Sequence, residues 1–307
     1  MTADVLAVAR TDLTTVGRSI RFWSVAGLFV GVLALMYAVA GVTGQEFSAA
    51  EMLGLVGLPI AILVPIVGLV AGTVGATDRP QSTISGRTRD ASSSGSTDGA
   101  SIPPTNGSNV VLGRLLGRAT AVTGVIALGF AFAFLSSVVL FGVGSIVAWV
   151  GLVVVTVVYG LAFVGIGVGA AIAVDGPSEA ATLTAGLYVT LFAFWELLTG
   201  GLHTLVHGTT PGEEPATWYL FVQQLNPLQS VAHAASTIVE GDVLPIVFRF
   251  GLDTSFEAPA SRHVGETPFF LHEWFGVALL VVWIVLPVAI GYRRLAGSDH
   301  RGRSIDG

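Results

Sequence analysis

Six long apolar runs decide most of what this chain can fold into. A hydrocarbon core about 30 Å thick is crossed by about 20 helical residues. The runs lie at roughly Ile20 to Val42, Leu53 to Ala76, Ala119 to Gly142, Ser145 to Val174, Ala180 to Val206 and Glu273 to Tyr292. The 307 residues are 52% apolar and 11% charged, whereas a soluble domain carries about 25% charged residues. Too little polar surface remains to clothe a water-soluble body of this size. The expected fold is an all-α membrane protein with six transmembrane helices. Met1 to Arg18 is mixed polar, so the first span reads as a retained anchor, not a cleaved signal.

Arginine placement predicts the orientation. With six spans both termini share one side, and that side holds 12 of the 14 basic residues. Only Arg249 and Arg262 fall opposite. Positive charge is retained inside, so both termini are expected in the cytoplasm of a multi-pass plasma-membrane protein. The chain then divides as one transmembrane domain, 1–307. An interfacial helix covers 1–19, spans 1–2 cover 20–77, and a cytoplasmic loop covers 78–118. Spans 3–5 cover 119–206, an external loop 207–272, span 6 273–292 and a cytoplasmic tail 293–307. Within the first long loop, 82–108 is rich in Ser, Thr, Gly and Asp and buries too little apolar area to order, so it is expected to be disordered. Within the external loop, helices are expected at 215–224 and through Val231, Ala234, Ala235 and Ile238. Gly44 to Met52 reads as a short external turn, and Asp175 to Glu179 as a tight cytoplasmic one.

Two residue types are missing. There is no Cys, which excludes disulfides, thiolate metal sites and a Cys nucleophile. There is no Lys either, since all 14 basic residues are Arg. A P-loop needs its Lys on the nucleotide phosphates, so this chain carries no Walker A site, and lysine Schiff-base chemistry is excluded with it. A net charge of −6 leaves no electrostatic footprint for nucleic acid.

Several features could carry function. Val5 to Arg21 is amphipathic, with Val5, Ala9, Leu13, Val16 and Ile20 on one face and Arg10, Thr14, Arg18 and Arg21 on another. It reads either as an interfacial anchor or as a lever that meets a cytoplasmic partner. Arg114 and Arg118 share a helical face ahead of the third span and read most simply as a snorkelling collar. GxxxG pairs at Gly27/Gly31, Gly68/Gly72, Gly113/Gly117 and Gly165/Gly169 permit close helix contact. Pro59, Pro65 and Pro287 should bend their helices, and the carbonyls they free must find partners inside the protein. Glu196 is the one acid deep in a span. It reads as a pathway residue or as a structural carboxyl bonded to a neighbouring hydroxyl. His203 and His207, four apart, are weak candidates for a metal. Asn106–Gly107–Ser108 matches a glycosylation sequon on the wrong side of the membrane.

The layout resembles the permease subunit of ABC-2 type (type V) ABC exporters, in the NosY-like, multicopper-maturation group. The resemblance rests on Ala9–Arg10–Thr11–Asp12 through Arg18–Ser19–Ile20–Arg21–Phe22–Trp23, similar to the family's connecting helix. It rests also on Ile102–Pro103–Pro104–Thr105 through Val110–Val111–Leu112–Gly113–Arg114–Leu115–Leu116–Gly117–Arg118, and on Leu225–Asn226–Pro227–Leu228–Gln229 after span five. It implies a second permease copy, in a homo- or heterodimer, and a separate ABC ATPase subunit that binds ATP and Mg. The chain itself would be no enzyme and would hold no cofactor. Docking would use the N-terminal helix, the span 2–3 loop and the Asp175–Glu179 turn, with Arg10, Arg18, Arg87, Arg89, Arg114, Arg118, Asp175 and Glu179 as coupling candidates. The loop departs from the family's Glu/Arg-rich pattern between Thr83 and Ser101. Two other readings stand beside this one. A rhomboid-type intramembrane hydrolase would pair Ser145 with His203, although no Gly follows that Ser. An ion-coupled secondary transporter would show more intramembrane charge than Glu196 and an internal repeat.

Overall fold

The computed structural model describes residues 2–43, 47–75, 107–174, 176–211, 215–236, 238 and 268–303. All regular structure among them is helical. The order begins α1 (Thr2–Gly17), α2 (Ile20–Val42), α3 (Ala49–Leu55), α4 (Gly57–Thr73), α5 (Gly107–Phe141), α6 (Ile146–Ala173) and α7 (Pro177–Val189). A π-helical segment, Thr190–Phe194, then joins α7 to α8 (Trp195–His207). α9 (Thr217–Gln224), α10 (Pro227–Ser236), a 3₁₀ turn at Phe269–Leu271 and α11 (Glu273–Arg303) complete it. Six helical stretches are long and apolar enough to cross a membrane: Ile20–Val42, Glu51–Thr73, Gly107–Phe141, Ile146–Ala173, Pro177–His207 and Trp274–Arg294. They coincide with the six apolar runs.

The differences lie at the ends, and each has a local cause. The amphipathic pattern runs on to Arg21, but α1 stops at Gly17. Ser19 caps the next helix, its Oγ accepting the Phe22 N–H at 3.3 Å. Ile20 therefore starts α2 and is exposed, while Val16 is buried. Part of the turn expected over 44–52 is helix α3. Its start is a capping box in which Ser48 N–H donates to Glu51 Oε2 (2.7 Å) and Glu51 N–H donates to Ser48 Oγ (3.2 Å). α5 begins at Gly107, so Gly107 and Ser108 are helical and do not belong to an irregular stretch. The rest of the expected disordered segment lies outside the described residues, as does most of the external loop beyond α10. Glu179 stands in the first turn of α7, not in a turn between helices. α11 continues through the expected tail to Arg303.

The bundle is built on α4 and α6. A Cβ on Gly72 would fall 2.7 Å from Gly167 Cα, and one on Gly68 2.7 Å from Gly160 O, so backbone lies against backbone. On the far side of α6, a Cβ on Gly165 would meet Ile284 O at 2.4 Å and one on Gly169 would meet Pro287 O at 2.4 Å, which seats α11. Without Cβ atoms the helices approach until dispersion contacts are dense, the chief source of helix association in lipid. A Cβ on Gly27 or Gly31 of α2 would meet nothing within 4 Å among the described residues.

Pro65 lies inside α4 and lacks the N–H that would bond Ala61 O. Tyr159 of α6 supplies the missing donor, its hydroxyl reaching Ala61 O at 3.2 Å. Tyr188 of α7 donates likewise to Ile62 O at 3.0 Å. Pro59 needs no such help, because it sits in the first turn, where N–H groups have no intrahelical acceptor. Tyr159→Phe should cost about 1–2 kcal/mol, the penalty for a buried carbonyl left unpaired. In a Pro65→Ala background, where residue 65 regains its N–H, the same change should cost less. Thermal unfolding of the four proteins in detergent gives the cycle, and equal costs in both backgrounds would remove Tyr159 from this role.

Candidate functional site

The first candidate site is the junction of α1, α4 and α5. Gly113 and Gly117 open a groove along the first part of α5, and α1 lies in it. A Cβ on Gly113 would fall 2.6 Å from Val8 Cβ, and one on Gly117 2.5 Å from Ala9 O. Next along α5 comes Arg118, only 2% exposed. Its Nε donates to Asp12 Oδ2 of α1 at 3.1 Å, its Nη2 to Val74 O at 2.7 Å, and its Nη1 to Gly72 O. Those two carbonyls close the end of α4, where no further helical N–H is available to them. One guanidinium thus ties three elements, using the planar fork of donors that Lys lacks. Burial raises the Asp12 carboxyl above its usual range, against the lowering pull of Arg118 and Arg114. Much of the ion pair's attraction therefore goes to offset desolvation, as expected of a buried pair.

This corrects the reading of Arg118 as a snorkelling collar. Its head points into the protein because three acceptors converge there. Among the other coupling candidates, Arg10 and Arg18 are exposed on and just after α1, and Arg114 is half-buried one turn before Arg118. Glu179 is exposed in the first turn of α7, where a carboxylate suits the positive end of the helix. Arg87, Arg89 and Asp175 lie outside the described residues.

The second candidate site is the fifth span. Its π-helical segment leaves Leu191 O available, and Asn226 Nδ2 donates to it at 2.6 Å. The other end of the same amide, Asn226 Oδ1, accepts the Leu228 N–H at 2.9 Å and starts α10 with Pro227 in its first turn. The Asn226–Pro227 element thus docks the α9–α10 hairpin on span five. Trp283 of α11 holds the hairpin from the other side, donating to Leu225 O at 2.9 Å. Glu196 follows the π segment directly and is half-buried. Thr199, one turn on in the same helix, donates to Trp195 O (2.8 Å), a backbone acceptor, so it is not used on the Glu196 carboxylate. On span five and the adjoining α9, the buried Trp195 Nε1, Gln223 Oε1 and both ends of the Gln224 amide have no hydrogen-bond partner among the described residues. π segments concentrate at functional positions.

His203 and His207 stack at the end of α8 with ring centroids 4.6 Å apart. His203 Nδ1 bonds Thr209 O at 3.1 Å, and His207 Nε2 accepts the Trp218 indole N–H at 3.0 Å. The pair pins α8 to α9. Among the described residues no group of three His, Asp or Glu could hold a metal ion. Ser145 Oγ accepts the Ala148 N–H at 3.2 Å as the cap of α6, and no hydrogen bond joins it to His203.

The fold defines a multi-pass membrane protein. A family model described as ABC-2 family transporter protein matches residues 103–300, well over half of the chain. The chain belongs to that family, and it is a transmembrane ABC transporter permease. No curated protein matches the chain. Permeases of this family are generally not enzymes, and the ATPase resides on a separate subunit.

Removing the Arg118 side chain (Arg118→Met) should strand two carbonyls and a part-buried carboxylate, costing about 3–5 kcal/mol. Asp12→Asn keeps a hydrogen-bond acceptor for Nε but leaves the buried guanidinium without its counter-charge, so it should cost about 2–3 kcal/mol, less than Arg118→Met. Denaturation of the purified variants tests the order, and a larger loss for Asp12→Asn would contradict it.

Proposed function

We propose that the chain is the membrane subunit of an ABC exporter of the type V, NosY-like group. It forms a single transmembrane domain in the plasma membrane with both termini cytoplasmic. Two such subunits, identical or not, line the pathway, and each engages a separate ATPase that binds ATP and Mg. The observation that carries this reading is the Arg118 clamp. A soluble motor pushing on α1 or on the start of α5 moves the end of α4 with them, because one side chain holds all three. Arg10, Arg18 and Arg114 sit on that unit, and Glu179 lies at the head of span five. Arg87, Arg89 and Asp175 belong to the same proposed contact by sequence position.

Mild-detergent purification of the tagged full-length chain should recover an ATPase with Walker A and signature motifs. Reversing the charge of Arg10 and Arg18 together should weaken that recovery while the permease stays folded. Recovery of the intact permease without any ATPase would count against the proposal.

Glu196 is the pathway residue in this reading. Beside the π segment it has no ion-pair partner among the described residues. Glu196→Gln should leave assembly and stability intact and lower substrate-stimulated ATP hydrolysis at least about tenfold, as loss of about 1.4 kcal/mol of coupling would. Unchanged stimulation would return Glu196 to a structural role.

A further inference from the structure

A cavity of about 440 Å³ opens between the end of α6, the second half of α7 and the middle of α11. Its walls include Ala170, Leu183, Leu187, Trp283, Leu286 and Arg294. It has the size of a small-molecule pocket, but the few well-placed polar groups of such a pocket are missing. The Thr184 hydroxyl in its wall is already bonded to Ala180 O at 2.8 Å. The Trp283 indole N–H points away to Leu225 O. Apolar surface therefore runs from Trp283 to a single cation, Arg294, eleven residues later and about 16 Å along the helix.

Two walls of this cleft, α6 and α11, meet along one side. Gly169 lies against Pro287, and a Cβ on Gly291 would fall 2.6 Å from Gly169 O, so α6 and α11 are in backbone contact along its length. The Arg294 end of the cleft lies on the side of the bundle where α5 starts, since a Cβ on Gly107 would fall 3.9 Å from Tyr292 Cε2. There Arg294 is exposed and makes no ion pair among the described residues. Arg293 adjoins it, and Glu179, the acid in the first turn of α7, is also exposed.

We propose that this cleft is a binding site for one anionic phospholipid, with a hydrocarbon chain against Trp283, Leu187 and Leu286 and the phosphate on Arg294. The chemistry is that of the cleft itself: a slot that accepts only CH₂ groups, ended at headgroup depth by a side chain that pairs with phosphate. The inference rests on the membrane-spanning helices and not on the direction of transport or on the ATPase.

The test uses the full-length chain exchanged into nanodiscs of equal phosphatidylglycerol and phosphatidylcholine, followed by native mass spectrometry. One phosphatidylglycerol per chain should survive delipidation, preferred over phosphatidylcholine by about fivefold, the factor expected from one surface arginine. Arg294→Gln should bring the ratio near one while a lipid is still held. Ala170→Trp should fill the slot and remove the bound lipid. Should that variant misfold, Leu286→Trp at the exposed rim blocks the same space. Lipid retention unchanged in the blocked variants, or no headgroup preference in the unaltered chain, would overturn the proposal. So would efficient disulfide formation between chains carrying Leu286→Cys, which reads cleanly in this cysteine-free sequence and would assign the cleft to a second copy.

Discussion

A carbonyl in hydrocarbon has no water to bond, so each irregularity in a membrane helix must be met by a donor from elsewhere in the protein. This constraint organises the whole bundle. Pro65 interrupts α4, and Tyr159 answers it. The same helix ends at Val74, and Arg118 answers that. Span five passes through a π segment, and Asn226 takes up the carbonyl of Leu191. The first helix of the hairpin after it ends at Leu225, and Trp283 reaches across from α11. Each repair comes from a different element, so the set of repairs is also the set of long-range ties that fixes how the helices stand together.

Glycine supplies the other half of the arrangement. Three of the GxxxG pairs are used, and each is used by one neighbour: Gly68/Gly72 by α6, Gly165/Gly169 by α11 and Gly113/Gly117 by α1. Most of these contacts bring backbone against backbone, which leaves little room to absorb an error. Near the fifth span the amides of Gln223 and Gln224 leave buried atoms without hydrogen-bond partners among the described residues, as do the hydroxyls of Tyr37, Ser137 and Thr156 in other spans.

Much of the fold was legible from residue order. The six spans follow from apolar run length alone, and the helices of the hairpin follow from the pattern through Val231 and Ala235. The ends were harder. Ser48 and Glu51 form a capping box whose spacing stands in the sequence, yet an apolar count passes over it. The π segment at Thr190–Phe194 leaves no mark, since one extra residue per turn does not alter the apolar character of the run. Arg118 was legible as a cation and not as a clamp. Its role depends on Asp12, 106 positions away, and on carbonyls that carry no side-chain signature. The only local hint was an acid among the arginines of the first helix. His203 and His207 show the reverse case. Their spacing suggested a ligand pair, and the indole of Trp218, which is what occupies His207, could be seen only in three dimensions.

The length of α5 has a mechanical corollary. Its 35 residues extend about 52 Å, well beyond a hydrocarbon core of about 30 Å. α1 is zipped along the first part of α5. The result is a two-stranded arm whose strands meet the end of α4 at one guanidinium. If the proposed motor engages that arm, a small sideways nudge at its free tip reaches the end of α4 as torque.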